Sequence, residues 1–259
     1  MDYACTALEM LSPAIGRAHV TAYDKVLALA EEMLSAPSAD QSGVIADGSG
    51  LGELIEKNSM KTGKMAFLPE HPRDDRISGL YEFILEKSRE YLTLADVAAT
   101  PCQRKRAEEQ RENLALERCW FIDQRENDYQ ILHAHLPNLL SGIIYLDVPD
   151  CMNESTYPDG ILTLIETNPF IVLPGAGDMY IWPAYMLHHV YPFRHPGRRV
   201  ALSFNLLDKS PGAENDAYFR PRYIQVSRDQ YFDRNSVLPH VERRDEPAAS
   251  GVPPVGKSV

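Results

Sequence analysis

Residues 118–148 read RCWFIDQ-REND-YQILHAH-LPNLL-SGIIYLDV, three short apolar runs separated by Asn127-Asp128 and Pro137-Asn138. Within the runs the repeat of side-chain character is close to two, the period of a strand, and the separators are turn-forming dipeptides. Working outward, the same grammar continues to residue 206. Strands are predicted at Arg118–Gln124, Tyr129–His135, Ser141–Val148, Gly160–Glu166, Phe170–Leu173, Asp178–Trp182, Leu187–Pro192 and Arg198–Leu206, with Pro158-Asp159-Gly160, Pro174-Gly175-Ala176-Gly177 and His195-Pro196-Gly197 among the breaks. Eight strands in about ninety residues fit an antiparallel jelly roll, the double-stranded β-helix.

Upstream the period is that of a helix. From Arg17 to Leu34, Val20, Tyr23, Val26, Leu27, Ala30, Met33 and Leu34 form one apolar stripe, and from Ile77 to Leu94 a second stripe recurs at Leu80, Tyr81, Ile84, Leu85, Tyr91 and Leu92. A charged helix is predicted over Gln103–Leu116, and Ala36–Gly52, rich in Ser, Gly and Pro, reads as a loop. The expected fold is therefore mainly β with α: a helical N-terminal region at 1–116 packing on a jelly-roll core at 117–242, then a Pro/Gly/Ser-rich tail at 243–259 expected to be disordered.

Composition narrows the function classes. The 259 residues carry a formal charge of −11, which repels polyanions, so nucleic-acid binding is not expected. The cluster Arg104-Lys105-Arg106 is followed at once by Glu108 and Glu109 and reads as a solvated helix face. Cys5, Cys102, Cys119 and Cys151 form no C-x-x-C pair, the pattern of free thiols in a reducing compartment. No apolar run reaches membrane-spanning length, and the N-terminal segment lacks the basic start of a signal peptide. These features predict a soluble, cytoplasmic protein acting on a small-molecule substrate, without nucleic acid or membrane; they leave its oligomeric state open.

The chemistry is carried by histidines. His133 and His135 are two apart, so on a strand both imidazoles project from one face. His188 follows in an otherwise apolar segment, with His189 beside it. Neutral imidazoles converging on one point suit a transition metal, whereas an isolated H-x-H is more often two polar side chains on a wet strand face. Eleven residues past His188, Arg199 opens RVALSFN, whose parity puts Arg199, Ala201, Ser203 and Asn205 on one face and Val200, Leu202 and Phe204 on the other. An arginine on that polar face can grip a carboxylate through two parallel hydrogen bonds. Arg198, on the opposite parity, is expected to be solvated. Trp120, Tyr180, Trp182 and Phe204 read as core aromatics, and His19, His71, His195 and His240 as incidental.

Three blocks carry a family resemblance. HAHLPNLLSGIIYLDVPD (133–150) resembles the H-x-H…SG-x-x-Y-L…P signature of 2-oxoglutarate/Fe(II) oxygenases of bacteria and phages. GDMYIWPAYMLHHVYP (177–192) resembles that family's G-x-x-x-x-F-P-S-W-L-x-H-x-V-x-P block, and RRVALSFN (198–205) its R-I-S-I-S-F-N strand. The blocks cover about a third of the chain, from Trp120 to Leu206, and their order and spacing make the match more specific than any one of them.

The resemblance implies an Fe(II)- and 2-oxoglutarate-dependent dioxygenase in which His133, His135 and His188 bind iron. Arg199 would hold the distal carboxylate of 2-oxoglutarate, with Ser203 and Tyr145 adding hydroxyl contacts. Iron, 2-oxoglutarate and O₂ would be the cofactor and co-substrates, and a small metabolite or amino-acid-like substrate would be hydroxylated, desaturated or cyclised. By analogy that substrate would lie under the N-terminal helices and the Ser35–Gly52 loop. His135 stands where the wider superfamily has Asp or Glu, so either it is the third ligand or an acid such as Asp159 or Glu166 completes the site. Two other readings stay open: a cupin-like three-histidine dioxygenase or isomerase independent of 2-oxoglutarate, and a non-catalytic jelly-roll binding module.

Overall fold

The strand that opens with Arg199 organises the larger sheet. In the computed structural model, which describes residues 3–36, 63–95, 101–149, 152, 160–165, 168–192, 194 and 196–211, Arg199–Asp208 is an inner strand of a seven-stranded sheet. In chain order the elements are β1 (Glu9–Ser12), β2 (Ile15–His19), α1 (Tyr23–Ser35), β3 (Lys64–Phe67), α2 (Asp75–Ala95), α3 (Pro101–Glu112), β4 (Leu114–Gln124), β5 (Gln130–His133), β6 (Leu140–Asp147), β7 (Leu162–Ile165), β8 (Pro169–Val172), β9 (Asp178–Pro183), β10 (Leu187–Val190) and β11 (Arg199–Asp208). The major sheet runs β1-β2-β9-β6-β11-β4-β3 and a minor sheet runs β5-β10-β7-β8, every pairing antiparallel. Two facing antiparallel sheets are the expected jelly-roll architecture.

Strand alternation gives the major sheet two different faces. Val200, Leu202, Phe204 and Leu206 of β11 join Cys119 and Phe121 of β4, Ile144 and Leu146 of β6, and Met179 and Ile181 of β9 on one side, packed against Val26, Leu29 and Ala30 of α1 and Leu80, Phe83 and Ile84 of α2. The opposite side carries Ile143, Tyr145, Tyr180, Trp182 and Ala201, which pack on Leu162, Leu164, Val172 and Val190 of the minor sheet. Each large apolar side chain buried this way contributes about 1.5–3 kcal/mol relative to exposure. The helices thus seal one face of the sheet, leaving the other for the enclosed space between the sheets.

The helical stripes fall where the sequence places them. α1 buries Val26, Leu29, Ala30 and Leu34, and α2 buries Ile77, Leu80, Phe83, Ile84, Tyr91 and Leu92. Asp74 starts α2 by accepting the Arg76 backbone N–H at 2.8 Å, as an N-cap side chain does.

Three boundaries differ from the periodicity. Residues 17–19, expected at the start of the first helix, belong to β2, because Gly16–His19 pair with Asp178–Ile181 of β9. The charged helix ends at Glu112, since Leu114–Leu116 pair with the end of β11. Tyr129–His135, expected as one strand, pairs only to His133. In each case ladder hydrogen bonds to a distant strand override a local pattern. The N-terminal region accordingly supplies three strands as well as helices. Residues 37–52 of the expected loop, and the tail at 243–259, lie outside the described residues. Among the described residues no helix is long and apolar enough to cross a membrane.

Candidate metal centre

The register of the minor sheet places His188 of β10 directly opposite His133 of β5. Cross-strand partners project from the same face, so these two rings meet at 4.2 Å between centroids. His135 lies beyond the end of β5, where its backbone N–H donates to the Ala184 carbonyl at 2.9 Å. That tether turns its ring back toward the other two, with centroids 4.9 Å from His133 and 5.0 Å from His188. The three side chains are buried, and their candidate donor atoms all lie within 4.8 Å of one another. His189, of opposite parity, instead packs edge-on to Tyr191.

Hydrogen bonds fix which nitrogens face inward. His133 Nδ1 lies 2.7 Å from the Ile131 carbonyl oxygen and His188 Nδ1 lies 3.0 Å from that of Met186. A carbonyl only accepts, so both Nδ1 atoms carry the proton and both Nε2 atoms keep a lone pair. His188 Nε2 faces His135 Nε2 at 3.2 Å. Two nitrogens bound to one metal at about 2 Å and near right angles sit about 3 Å apart. The donor set therefore fits a divalent transition ion. His135 Nδ1 meets the Asn205 side-chain amide at 3.5 Å, and Asn205 Oδ1 accepts the Ser141 hydroxyl at 2.9 Å. Carbonyl and amide partners of this kind orient metal-binding imidazoles.

Burial sets the protonation of the centre. Desolvation, and then the neighbouring His133, hold the pKa values of His135 and His188 well below the usual histidine value; Arg118 adds to the effect at His135. Both rings stay neutral at pH 7, the form that binds metal. Trp182 stands edge-on to His188 at 5.4 Å and Trp120 lies 6.0 Å from His135. These two tryptophans, with Ser141, Ser203 and Asn205, line a cavity of about 30 Å³ that all three histidines enter. The tryptophans are buried as core residues, as the sequence indicates, and also wall the cavity; Phe204 alone of the four aromatics packs in the helix-facing core.

Arg199 is 3% exposed on the same inner face of β11. Its guanidinium donates to the Gly160 carbonyl and to Gln124 Oε1, and lies 5.8 Å from the Tyr145 ring centroid. Among the described residues it has no carboxylate partner, and desolvation lowers its pKa. A buried cation without an anion is costly. Nearby donors are also unmet: Tyr145 Oη and Gln124 Nε2 are buried without hydrogen-bond partners among the described residues, as are Trp120 Nε1 and Trp182 Nε1 at the histidine cavity. Burial pushes the Tyr145 hydroxyl up to about 12, so it remains a donor.

Of the sequence-predicted site residues, His133, His135, His188 and Ser203 border one cavity, whereas Tyr145 packs with Arg199. Gln124 and Ser141 were missed, and Asn205, which parity had put on the pocket face, was given no role there, because these roles come from register: Gln124 pairs with Arg199 and Ser141 with Asn205 across β11. Arg198 is not freely solvated; its side chain is 22% exposed and pairs with Glu31 and Asp147, because α1 lies over that face. Asp159, Glu166, His195 and His240 lie outside the described residues.

Comparison with known proteins agrees with this geometry. Residues 118–205 match the family described as "Putative 2OG-Fe(II) oxygenase". Among curated proteins, none matches the chain's sequence. A prolyl hydroxylase of Trichoplax adhaerens, solved with a hypoxia inducible factor oxygen degradation domain peptide fragment, superposes with a TM-score of 0.50 at 13% identity, covering 76% of this chain and 85% of that one. Viral collagen prolyl hydroxylase from Paramecium Bursaria Chlorella virus-1 gives 0.40 at 14% identity, over 64% and 92%. A 2OG-Fe(II) oxygenase family oxidoreductase of Burkholderia pseudomallei gives 0.33 at 14% identity, over 47% of this chain and only 57% of its own length. The first of these likenesses supports the double-stranded β-helix fold. The sequence match spans both histidine blocks and the arginine strand, so residues 118–205 are similar to the 2OG-Fe(II) oxygenase family over about a third of the chain.

Proposed function

We propose that this chain hydroxylates, or otherwise oxidises at an unactivated C–H bond, a small metabolite or amino-acid-like substrate. His133, His135 and His188 would hold iron, and Arg199 would hold 2-oxoglutarate. The observation that carries the reading is the pairing, between the same two sheets, of three buried imidazoles with a buried arginine that lacks a carboxylate partner among the described residues. A bound dicarboxylate would supply the missing anion at Arg199 and accept from the unmet Tyr145 hydroxyl.

When bound, iron and 2-oxoglutarate supply the oxidising power: one atom of O₂ enters succinate as CO₂ is lost, and the other enters the substrate as hydroxyl. The chain's part is geometric and electrostatic. The Ile131 and Met186 carbonyls lock two imidazoles with Nε2 inward, and the Ser141–Asn205 pair braces the third. Gln124 and Gly160 aim the Arg199 fork, and Tyr145 closes over it. Ser203 borders the histidine cavity rather than the guanidinium, so its hydroxyl would serve the keto-acid end. Trp120 and Trp182 shield the centre from bulk water.

The test is anaerobic addition of Fe(II) and then 2-oxoglutarate to the protein, followed by visible absorption. A charge-transfer band is expected only when both are present, absent in His188→Ala. In Arg199→Lys, where the planar fork is lost, 2-oxoglutarate should bind about tenfold or more weakly. Iron binding with no response to 2-oxoglutarate would overturn this reading in favour of a three-histidine dioxygenase, the alternative that an all-imidazole donor set also suits.

A further inference from the structure

A chain of three cavities leads from the surface to the histidines. The outermost, about 680 Å³, is bounded by Phe67 of β3, Tyr81 of α2, Arg118 of β4, and Glu70, Glu117 and Lys209. It shares Glu117, Arg118 and Leu207 with a neck of about 100 Å³, which also touches His135, Trp120 and Asn205. Those last three residues in turn border the small cavity around the metal centre. The passage therefore arrives on the His135 side, away from Arg199 in the sheet register: on the β4–β11 ladder Gln124 pairs with Arg199 at one end, and Arg118 pairs with Asn205, six residues further along β11. A chamber of several hundred Å³ opening on a reactive centre has the dimensions of a small-ligand site.

Arg118 is the cation common to chamber and neck. Its guanidinium lies 5.8 Å from the Phe67 ring centroid and 3.7 Å from the Glu117 carboxylate, and its side chain is 32% exposed. The aromatic face and the glutamate restrain the head group, and its exposure lets a ligand carboxylate join or displace its present partners. In a chain of net charge −11, Arg118 and Lys209 balance Glu70 and Glu117 here, so the opening presents both signs of charge to a ligand.

We infer that the Phe67–Tyr81–Arg118 chamber is the primary-substrate site, taking an amino-acid-type zwitterion whose carboxylate pairs with Arg118 and whose ammonium group faces Glu70 and Glu117. This rests on the oxygenase reading above and specifies its substrate class. Substrate and co-substrate thereby use separate arginines, six residues apart in the register of one strand pair, so their carboxylates do not compete. Phe67 and Tyr81 supply apolar faces for the remainder of the molecule, consistent with a substrate larger than the neck.

The experiment uses the full chain loaded anaerobically with Fe(II) and 2-oxoglutarate. The probes are the free protein amino acids, their N-glycyl dipeptides, and the C-terminal amides of both sets. At least one acid should perturb the visible band and, on exposure to O₂, raise succinate formation above the probe-free rate. Its amide should bind about tenfold or more weakly, a loss of about 1.4 kcal/mol. Arg118→Met should bind acid and amide alike, and Arg118→Lys should restore part of the preference. A band that forms but responds to no acid probe would overturn the zwitterion assignment and leave the oxygenase reading intact. So would an acid-over-amide preference that persists in Arg118→Met. Absence of the band itself, with iron bound, would instead remove the oxygenase reading on which the assignment depends.

Discussion

At the residue scale the centre depends on how each imidazole is held. His133 and His188 are fixed by backbone carbonyls, which no substitution removes, but His135 relies on a side chain, Asn205. An amide offers both an oxygen and an NH₂ group, so Asn205 can meet either tautomer of His135. Asn205→Leu should weaken Fe(II) or Co(II) binding about 10- to 100-fold, the usual effect of losing an orienting partner. Asn205→Asp, which puts an acceptor for Nδ1–H where Asn205 Nδ2 lies 3.5 Å from His135 Nδ1, should retain most of the affinity. Competition titration against a chromophoric chelator measures both; unchanged affinity in Asn205→Leu would argue that His135 is not a ligand held in this way.

At the scale of elements, β6 and β11 pack more closely than side chains normally allow. A Cβ on Gly142 would lie 2.2 Å from Phe204 Cζ and 2.8 Å from the Tyr180 carbonyl oxygen. The Ser-Gly pair of the sequence signature thus has a double origin: Ser141 supports Asn205 on the inner face, while Gly142 makes room for Phe204 on the outer one. Gly142→Ala should destabilise the fold by about 1–3 kcal/mol through overpacking. Phe204→Leu in the same chain should recover part of that loss, which denaturant unfolding of the single and double variants would resolve. The same alternation was legible beforehand in RVALSFN, whose parity assigned Arg199, Ser203 and Asn205 to the pocket and Leu202 and Phe204 to the core. The register of β4 and β6 against β11 was not legible, because sequence alone does not say which strands pair.

At the scale of the whole molecule, burial of the histidines links stability to pH. His135 and His188 have folded-state pKa values well below the unfolded value of about 6.5, chiefly from desolvation. Between the folded and unfolded values the unfolded chain binds more protons, so stability falls as pH drops below about 6.5 and levels off above it. Each histidine steepens the slope by up to about 1.4 kcal/mol per pH unit. Urea unfolding of metal-free protein between pH 5.5 and 7.5 should display this decline, with a shallower slope in His188→Asn. A flat profile would mean that the rings are hydrated in solution.

The sequence by itself determined the jelly-roll class, the apolar stripes of α1 and α2, the choice of His188 over His189, and the orientation of Arg199. The choice of His188 came from the family resemblance; the rest follow from short-range periodicity, in which a residue's neighbours in the chain fix the face it occupies. Only the tertiary structure decided that β2 is a strand, that Trp120 and Trp182 wall the metal centre, that Gln124 and Asn205 brace its functional groups, and that Arg118 guards the neck. Most of those properties arise from pairing between distant segments, as for Asn205 with His135 (70 apart) and Arg17 with Asp178 (161 apart). Register and burial set them, and neither is encoded in any local pattern.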